Sequence, residues 1–446
     1  MMATIHKLFK SPFFDFEFLR LLAMAPHEGA EIGEALEAAA KIKDQDPESW
    51  YSTLLETGSK AEAIAKEAEA SGDRVGARRA YLRSSNYFRA AQFMLNEGAI
   101  GHDKRVLSTT ERAISIFRKG VQYRDGKTIV LEVPYEGGIK LPGYLYLPHA
   151  SKRIPGRKIP ILLNSGGGDS TQEEIYFVNP AYGPDLGYAV LTFEGPGQGI
   201  VLRRDKLPMR PDWEAVTGPV LDHLFDLATR HPELELDLDH IAVTGASMGG
   251  YFALRAAADP RIKACVSVDG FYSLSSFVGG RMPGPLFNGF MSGWLTDGMF
   301  NGILSFLKKI DFQTRWEFNH LKWATGSKTD ADIMRSFGDY TLQNADGTEY
   351  LADVKCPTLV TGAGASFYFN PATTTDKIYE CLTSLKDGVD KEKWIATDVA
   401  YGGLQAKIGA FGYSAQKTFE WLDARFGIER EPLKASSNTE DLVGKF

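Results

Sequence analysis

Cysteine is scarce in this sequence. Its 446 residues include three cysteines, Cys265, Cys356 and Cys381, and no two of them stand in a C-x-x-C pair. An odd number of widely spaced cysteines supports neither a disulfide framework nor a thiolate zinc site. Because a chain of this kind suits a reducing compartment, we expect a cytoplasmic protein.

Long apolar runs and an excess of basic charge are also missing. No stretch reaches the roughly 18 apolar residues that a membrane span needs, and the first ten residues lack the apolar segment of a secretory signal. Fifty basic and fifty-seven acidic residues give a net charge of −7, spread along the chain. This balance argues against nucleic acid or a membrane surface as partner. We also expect neither a cofactor nor a metal ion.

What the sequence contains changes in character near residue 125. Residues 1–125 are rich in alanine, glutamate and basic residues at helical spacing, which predicts a cap of four or five helices. Short β-rich runs then alternate with helical segments over 126–272 and 346–428, which predicts an α/β core with a mostly parallel sheet. We predict that residues 273–345 form a helical lid insertion and that residues 429–446 form a polar tail.

Two local patterns refine this division. The first two strands of the core, near 128–133 and 143–147, are joined by Gly137 and Gly138 and predict an antiparallel hairpin at the sheet edge. The most apolar region, residues 275–307, is interrupted by several glycines and prolines. It is predicted to be a flexible flap.

The most specific motif is G-x-S-x-G, with Gly245, Ser247 and Gly249 at its fixed positions. A strand pattern precedes it and an alanine-rich helical pattern follows. A nucleophile on a strained turn between strand and helix needs glycine on either side to avoid clashes, and the helix N-terminus favours developing negative charge. The motif therefore predicts a nucleophile elbow, with Ser247 as its serine. The alternative is that the two glycines merely shape a turn.

A glycine cluster stands about eighty residues upstream, at residues 165–168, directly after a predicted strand. In a hydrolase with a nucleophile elbow, one oxyanion-hole amide belongs to the residue after the serine, here Met248, and another to a loop such as this one. We expect Gly167 or Gly168 to supply it. A phosphate-binding loop is the alternative, but no Gly-Lys-Ser/Thr follows.

Residues 194–199 resemble a dinucleotide fingerprint. They lack its glycine spacing and the helix that should follow, and are therefore predicted to form a turn.

Together these features resemble one branch of the α/β-hydrolase superfamily. The resemblance rests on the helical N-terminal region, residues 165–168, 193–199, the elbow, and the closing segments 402–412 and 419–423. The branch contains fungal hydrolase-like proteins encoded beside polyketide synthase–peptide synthetase hybrids, as in fusarin and cytochalasan pathways. More distantly, the chain is similar to melanin-pathway hydrolases and to 2,6-dihydroxypseudooxynicotine hydrolase, which cleave carbon–carbon bonds. The resemblance implies an α/β-hydrolase fold, a helical cap over the site and a homodimer.

The sequence departs from the hydrolase pattern at two triad positions. A triad in this fold runs in the order Ser, acid, His. After the late predicted strand the acid position corresponds to Ala365, and after the last strand Gln405 stands where the histidine is sought. The only histidine after Ser247 is His320, within the lid insertion. It is either a structural histidine or a residue that folds in to act as a base.

Loss of the triad histidine decides the expected chemistry. In a serine protease that loss costs on the order of 10⁶ in turnover. An oxyanion hole alone still stabilises an enolate, which an aldol, Knoevenagel or ring-closing condensation generates. Because the resemblance implies an aminoacylated polyketide as the substrate, we expect condensation of such a molecule, with Ser247, Asp269 and Glu194 as candidate proton carriers. Tyr81, Tyr87 and His320 are candidate substrate-binding residues. An ester or carbon–carbon hydrolase with an atypical base, and a non-catalytic intermediate-binding protein, remain alternatives.

Overall fold

The computed structural model describes residues 7–96 and 103–433, so most of the predicted polar tail lies outside the described residues. The strands are β1 (Thr128–Pro134), β2 (Lys140–Tyr146), β3 (Ile159–Ser165), β4 (Ala189–Phe193), β5 (Leu236–Ala246), β6 (Ala264–Val268), β7 (Thr358–Ala363) and β8 (Lys391–Ala396). The helices are α1 (Pro12–Leu22), α2 (Ile32–Lys41), α3 (Pro47–Ser71), α4 (Arg74–Ala91), α5 (Lys104–Val121), α6 (Gln172–Ile175), α7 (Glu214–Arg230), α8 (Met248–Ala256), α9 (Leu274–Arg281), α10 (Gly284–Met291), α11 (Asp297–Ile310), α12 (Phe312–Thr325), α13 (Asp330–Ser336), α14 (Thr375–Cys381) and α15 (Phe411–Phe426).

One eight-stranded sheet organises the molecule, in the order β1-β2-β4-β3-β5-β6-β7-β8. Strand β2 is antiparallel to β1 and β4, and every later neighbour pairs in parallel. All residues of β3 and β4 are buried, as expected for strands covered by helices on both faces. The predicted α/β-hydrolase fold is confirmed. Parallel strands β3, β5, β6 and β7 bring their carboxyl ends to one edge, which becomes the floor of the site.

The N-terminal hairpin also agrees with the sequence pattern. Strands β1 and β2 pair from Thr128 opposite Tyr146 to Pro134 opposite Lys140. Gly137 and Gly138 adopt φ of 66° and 77° in the connection, a region that favours glycine because it has no Cβ.

Residues 275–307, the predicted flap, have a regular secondary structure. This stretch is helical, and it forms most of α9, all of α10 and most of α11. Several of its interruptions mark helix ends: Pro283 is the N-cap of α10, and Gly293 follows that helix with φ 76°. Proline fits the first turn of a helix, where its missing N–H would have no intrahelical partner. The glycines and prolines in this apolar stretch therefore separate one helix from the next.

No helix in the described part of the chain is long and apolar enough to cross a membrane.

Helix α1 joins the cap to the rest of the molecule. Its apolar side chains Phe13, Phe14 and Phe18 are buried, and the Phe14 ring packs edge-on against Trp50 of α3 with centroids 5.2 Å apart. Phe13 also contacts Trp316 of the lid helix α12, at 5.1 Å between centroids. Cap and lid therefore meet over the carboxyl edge of the sheet, and together they enclose a cavity there.

Candidate active site

Ser247 lies on a strained turn between β5 and α8. Its backbone has φ 57° and ψ −116°, a conformation that is costly for any residue with a Cβ and that persists only where the surroundings enforce it. A Cβ on Gly245 would stand 2.3 Å from the carbonyl oxygen of Gly249, and one on Gly249 would stand 2.8 Å from that of Ser165. Both positions therefore require glycine, and the motif has the geometry of a nucleophile elbow.

The glycine loop after β3 lies directly beside this elbow. A Cβ on Gly167 would stand 3.5 Å from the Ala246 carbonyl oxygen, and one on Gly168 would stand 3.8 Å from Met248 Cγ. Gln198 Nε2 donates to the carbonyl oxygens of Gly166 and Gly167, at 2.8 and 2.9 Å. This contact fixes the orientation of the two peptide groups that join residues 166, 167 and 168.

The orientation of these peptides points their amides toward the site. In a trans peptide the N–H and C=O groups point in opposite directions, so the amides of Gly167 and Gly168 point away from Gln198. Both glycines line the cavity. Among the described residues, neither of these amides nor that of Met248 donates a hydrogen bond. The amides predicted to form the oxyanion hole therefore lie together at one wall of the cavity.

The cavity has a volume of about 270 Å³ and is largely apolar. Side chains from α1, the lid helix α12 and the loops that follow the strands line it. Ser247 and Met248 stand on its floor, and Phe16, Phe271 and Trp316 are among the aromatic residues of its wall. Such a chamber suits an extended apolar substrate that carries a few polar groups.

Glu194 does not line this cavity. Its side chain is 1% exposed, and its two carboxylate oxygens accept hydrogen bonds from the amides of Gln172 and Ile200, at 2.9 and 2.7 Å. Burial raises the pKa of Glu194. The structure therefore places this candidate proton carrier in a turn, where it holds together the segment that also carries Gln198.

Asp269 is likewise removed from the cavity, and its partner is Lys407. Lys407 Nζ lies 2.8 Å from Asp269 Oδ1, and both side chains are 1% exposed or less. Thr361 Oγ1 donates to the same carboxylate oxygen at 2.7 Å. The carboxylate thus forms a buried ion pair behind the wall of the site, a pairing that the sequence pattern did not reveal.

The two positions at which the sequence analysis looks for the triad acid and histidine lie on neighbouring loops. Ala365 follows β7, and its amide donates to the Gly403 carbonyl oxygen at 2.9 Å. Gln405 follows β8 and lines the cavity. Its Nε2 donates to the Asp269 carbonyl oxygen and its Oε1 accepts from the Ser366 hydroxyl, both at 2.9 Å. Both ends of the Gln405 amide are therefore held, so the side chain forms a fixed part of the wall.

The structure does not bring Tyr81 and Tyr87 to the cavity. Both side chains are fully buried between helices of the cap. The Tyr81 hydroxyl donates to Glu69 Oε2 at 2.6 Å, and the Tyr87 hydroxyl accepts from the Glu31 amide at 2.8 Å. Their spacing on α4 thus reflects packing within the cap, and the expectation that they contact substrate is corrected.

His320 does reach the cavity, from α12 of the lid. Its ring stacks on Trp316 at 4.8 Å between centroids, and Nε2 lies 3.4 Å from the Gly168 carbonyl oxygen. Nδ1 is buried and has no hydrogen-bond partner in the described part of the chain. Burial lowers the pKa of His320 to about 4, with Asp169 opposing this shift and Arg203 adding to it. The ring is therefore neutral at physiological pH.

Comparison with known proteins agrees with this geometry. The Esterase FrsA-like family matches residues 54–274. The chain is 91% identical over 444 residues to the alpha/beta hydrolase psoB of Aspergillus fumigatus, which covers 100% of both proteins. It is also 48% identical to the 20-hydroxy-prefusarin hydrolase FUS2 of Gibberella moniliformis, over 96% of this chain and 100% of that protein. The chain belongs to this family of fungal α/β hydrolases. Its curated relatives are hydrolases of secondary-metabolite pathways.

A solved structure shares the fold of this α/β hydrolase. The 2,6-dihydroxy-pseudo-oxynicotine hydrolase superposes with a TM-score of 0.66 at 20% sequence identity, over 91% of this chain and 96% of that one. The resemblance to the fungal family and to this more distant enzyme, predicted from the glycine turns and the elbow, is confirmed.

The α/β hydrolase also carries a cluster of charged side chains in its cavity that the sequence analysis missed. Glu17 and Arg20 come from α1, Asp169 follows the glycine loop, and Glu174 belongs to α6; all four line the cavity. The helical spacing of residues 17 and 20 places them on one face, and this was the available signal.

Proposed function

We propose that this protein catalyses a non-hydrolytic condensation, a Knoevenagel- or aldol-type ring closure of an aminoacylated polyketide. The observation that carries the proposal is the pairing of an intact oxyanion wall with a large apolar cavity. The amides of Gly167, Gly168 and Met248 are available to an oxygen atom in that cavity. Donors fixed in this way favour the enolate of a β-keto amide, because negative charge develops on its oxygen.

The loops after β7 and β8 support condensation over hydrolysis. A hydrolase of this fold uses an acid and a histidine on those loops to activate the serine. Here the corresponding residues are Ala365 and Gln405, and no histidine follows His320 in the sequence. Both ends of the Gln405 side-chain amide form hydrogen bonds with neighbouring residues. An amide also cannot act as a base at neutral pH. We infer that Ser247 acts as a further hydrogen-bond donor to the oxyanion.

The proposed reaction proceeds through the enolate. The carbonyl oxygen of the β-keto amide accepts hydrogen bonds from the oxyanion wall, and a base removes a proton from the carbon between the two carbonyl groups. That carbon attacks an internal aldehyde, so a carbon–carbon bond forms and the aldehyde oxygen becomes an alkoxide that takes up a proton. The product is a five-membered pyrrolidone, and loss of water gives the pyrrolinone. No cofactor enters this scheme.

The substrate class follows from the cavity and from the relatives. The cavity is lined mostly by apolar side chains, which suits a polyketide chain. One relative is named for 20-hydroxy-prefusarin, and the resemblance to proteins of hybrid polyketide–peptide pathways, including the cytochalasan type, suggests an amino acid joined to that chain. We also propose that the protein is cytoplasmic and forms a homodimer.

The test uses N-acetoacetyl-phenylalaninal, a β-keto amide with an internal aldehyde, and follows ring closure by chromatography. We expect the protein to accelerate closure over buffer and Ser247→Ala to lower the rate by about 10²-fold, the effect of losing one oxyanion donor. Closure no faster than in buffer would refute the proposal. A binding protein without catalysis would instead retain the aldehyde unchanged, with the same result for Ser247→Ala.

A second candidate, serine hydrolysis with His320 as the base, rests on one observation. His320 Nδ1 is buried and unpartnered among the described residues, and the ring lines the same cavity as Ser247. This function predicts p-nitrophenyl ester turnover that disappears in His320→Gln. Condensation predicts that His320→Gln retains ring closure, so this one variant separates the two candidates.

A further inference from the structure

The charged cluster between the cap and the glycine loop contains more acidic than basic groups. Arg20 is its centre: Nε and Nη2 contact Glu174, at 2.5 and 2.7 Å, and Nη1 lies 2.9 Å from Asp169 Oδ2. Arg89 of α4 reaches Glu174 at 3.5 Å. Two guanidinium groups therefore face three carboxyl groups, since Glu17 belongs to the same cluster.

Of the three carboxyl groups, Glu17 makes the longest contact with Arg20. Its Oε2 lies 3.3 Å from Arg20 Nη1, farther than the contacts of Glu174 and Asp169. Oε1 of Glu17 forms no hydrogen bond within the described residues, and the side chain is 5% exposed and lines the cavity. A buried carboxyl group with so little compensation binds a proton more tightly than an exposed one does, and it can both take up and release a proton near neutral pH.

We propose that Glu17 is the proton carrier of the reaction, acting first as the base and then as the acid. This assignment rests on the proposed condensation. The Glu17 carboxylate takes the proton from the carbon between the two carbonyl groups, and the electron pair of that C–H bond enters the enolate. After the new carbon–carbon bond forms, the Glu17 carboxyl gives the same proton to the alkoxide. The group returns to its starting state, so each turnover is balanced without a second carrier.

The environment of Glu17 suits this role. Burial raises the pKa of Glu17 to about 8, with Arg20 and Arg89 opposing the shift and Asp169 and Glu174 adding to it. A base is most effective when its pKa lies near the operating pH. By contrast, the pKa of His320 is lowered to about 4. For Asp169, burial raises the pKa, but the charges and hydrogen bonds of its neighbours, Arg20 foremost, together outweigh burial and lower it. Both are therefore weaker bases in the same cavity.

Helix α1 also explains why this carrier comes from the cap. Asp15 on the same helix is buried but accepts the amides of Leu8 and Phe9 at 2.7 and 3.2 Å, and it does not line the cavity. Two residues further along, Glu17 lines the same cavity as Ser247. The cap thus contributes a chemical group in addition to closing the site.

The experiment separates proton removal from ring closure. N-acetoacetyl-phenylalaninol, which lacks the aldehyde, reports removal of the proton through exchange with D₂O followed by NMR. We expect the wild-type protein to accelerate this exchange above buffer. Glu17→Gln, which preserves size, should lower the accelerated rate by about 10²-fold or more. Asp15→Asn is the matched control on α1 and should leave exchange and closure at the wild-type level.

The pH dependence provides a second measurement. After subtraction of the buffer rate, wild-type exchange should rise with pH, reach half of its maximum near pH 8 as Glu17 ionises, and level off at higher pH. This rise should be absent in Glu17→Gln. Glu17→Asp should retain the rise at a lower rate because it keeps a carboxylate.

The outcomes distinguish this inference from the function on which it rests. Glu17→Gln with wild-type exchange and wild-type closure would overturn the role of Glu17 and leave the condensation standing. Exchange that depends on Glu17, without any acceleration of closure of N-acetoacetyl-phenylalaninal, would support the proton carrier and refute the condensation. A wild-type protein that accelerates neither would overturn both.

Discussion

The buried pair of Lys407 and Asp269 gives the most direct test of how the site is built. Lys407 Nζ contacts Asp269 Oδ1 at 2.8 Å and the Gly362 carbonyl oxygen at 2.9 Å, with both side chains buried. Replacing the lysine by methionine keeps most of the volume but leaves the carboxylate with Thr361 as its side-chain partner. Breaking one half of a buried ion pair costs about 3–5 kcal/mol, a large part of the 5–15 kcal/mol typical of a folded protein.

The pair also supports strained backbone next to the cavity. Ala406 and Lys407 have φ of 57° and 58°, and residues in this region cost about 1–3 kcal/mol each unless their surroundings enforce it. Gln405 and Ala406 line the cavity on the same turn. Loss of the ion pair should therefore loosen this wall in addition to lowering the free energy of unfolding.

The assay is urea denaturation followed by circular dichroism, applied to a double-mutant cycle. We expect Lys407→Met to lose about 3–5 kcal/mol, and Lys407→Met combined with Asp269→Asn to recover much of that loss because no uncompensated charge is left. A cost below about 1 kcal/mol for Lys407→Met would refute the reasoning. So would a double variant that is no more stable than the single one.

Two further predictions concern the oxyanion wall and the lid. Gln198→Glu keeps the side-chain size but removes the Nε2 donor to Gly166 and Gly167; ring closure should lose about 10²–10³-fold in kcat with little change in KM, and an unchanged kcat would show that Gln198 does not position the amides. His320 has a pKa of about 4 in the folded state, against 6.5 ordinarily, so the unfolded chain binds its proton more readily and the protein should lose stability as the pH falls from about 6.5 to about 4. Thermal denaturation across this range should show a smaller loss for His320→Gln, and an equal loss would contradict the assignment.

The sheet was predictable because its signals are local. Short β-rich runs mark all eight strands, and the β1–β2 pairing follows from two adjacent runs joined by glycines. The elbow was equally clear, since Gly245 and Gly249 are required by clashes within a few residues of Ser247. The place of helix α1 at the cavity could not be predicted in this way, because it depends on contacts with the distant helices α3 and α12.

The sequence by itself therefore determined the fold, the elbow serine and the glycine loop that faces it, because each depends on neighbours along the chain. Only the tertiary structure decided which acidic residues reach the cavity. Glu194 and Asp269 follow strands at the carboxyl edge, as active-site acids do. Backbone amides nevertheless hydrogen-bond the Glu194 carboxylate, and Lys407 forms an ion pair with Asp269. Glu17 lies 230 positions from Ser247 in sequence and lines the same cavity. The environment of a carboxyl group depends on burial and on charges brought together by folding, and a local pattern contains neither.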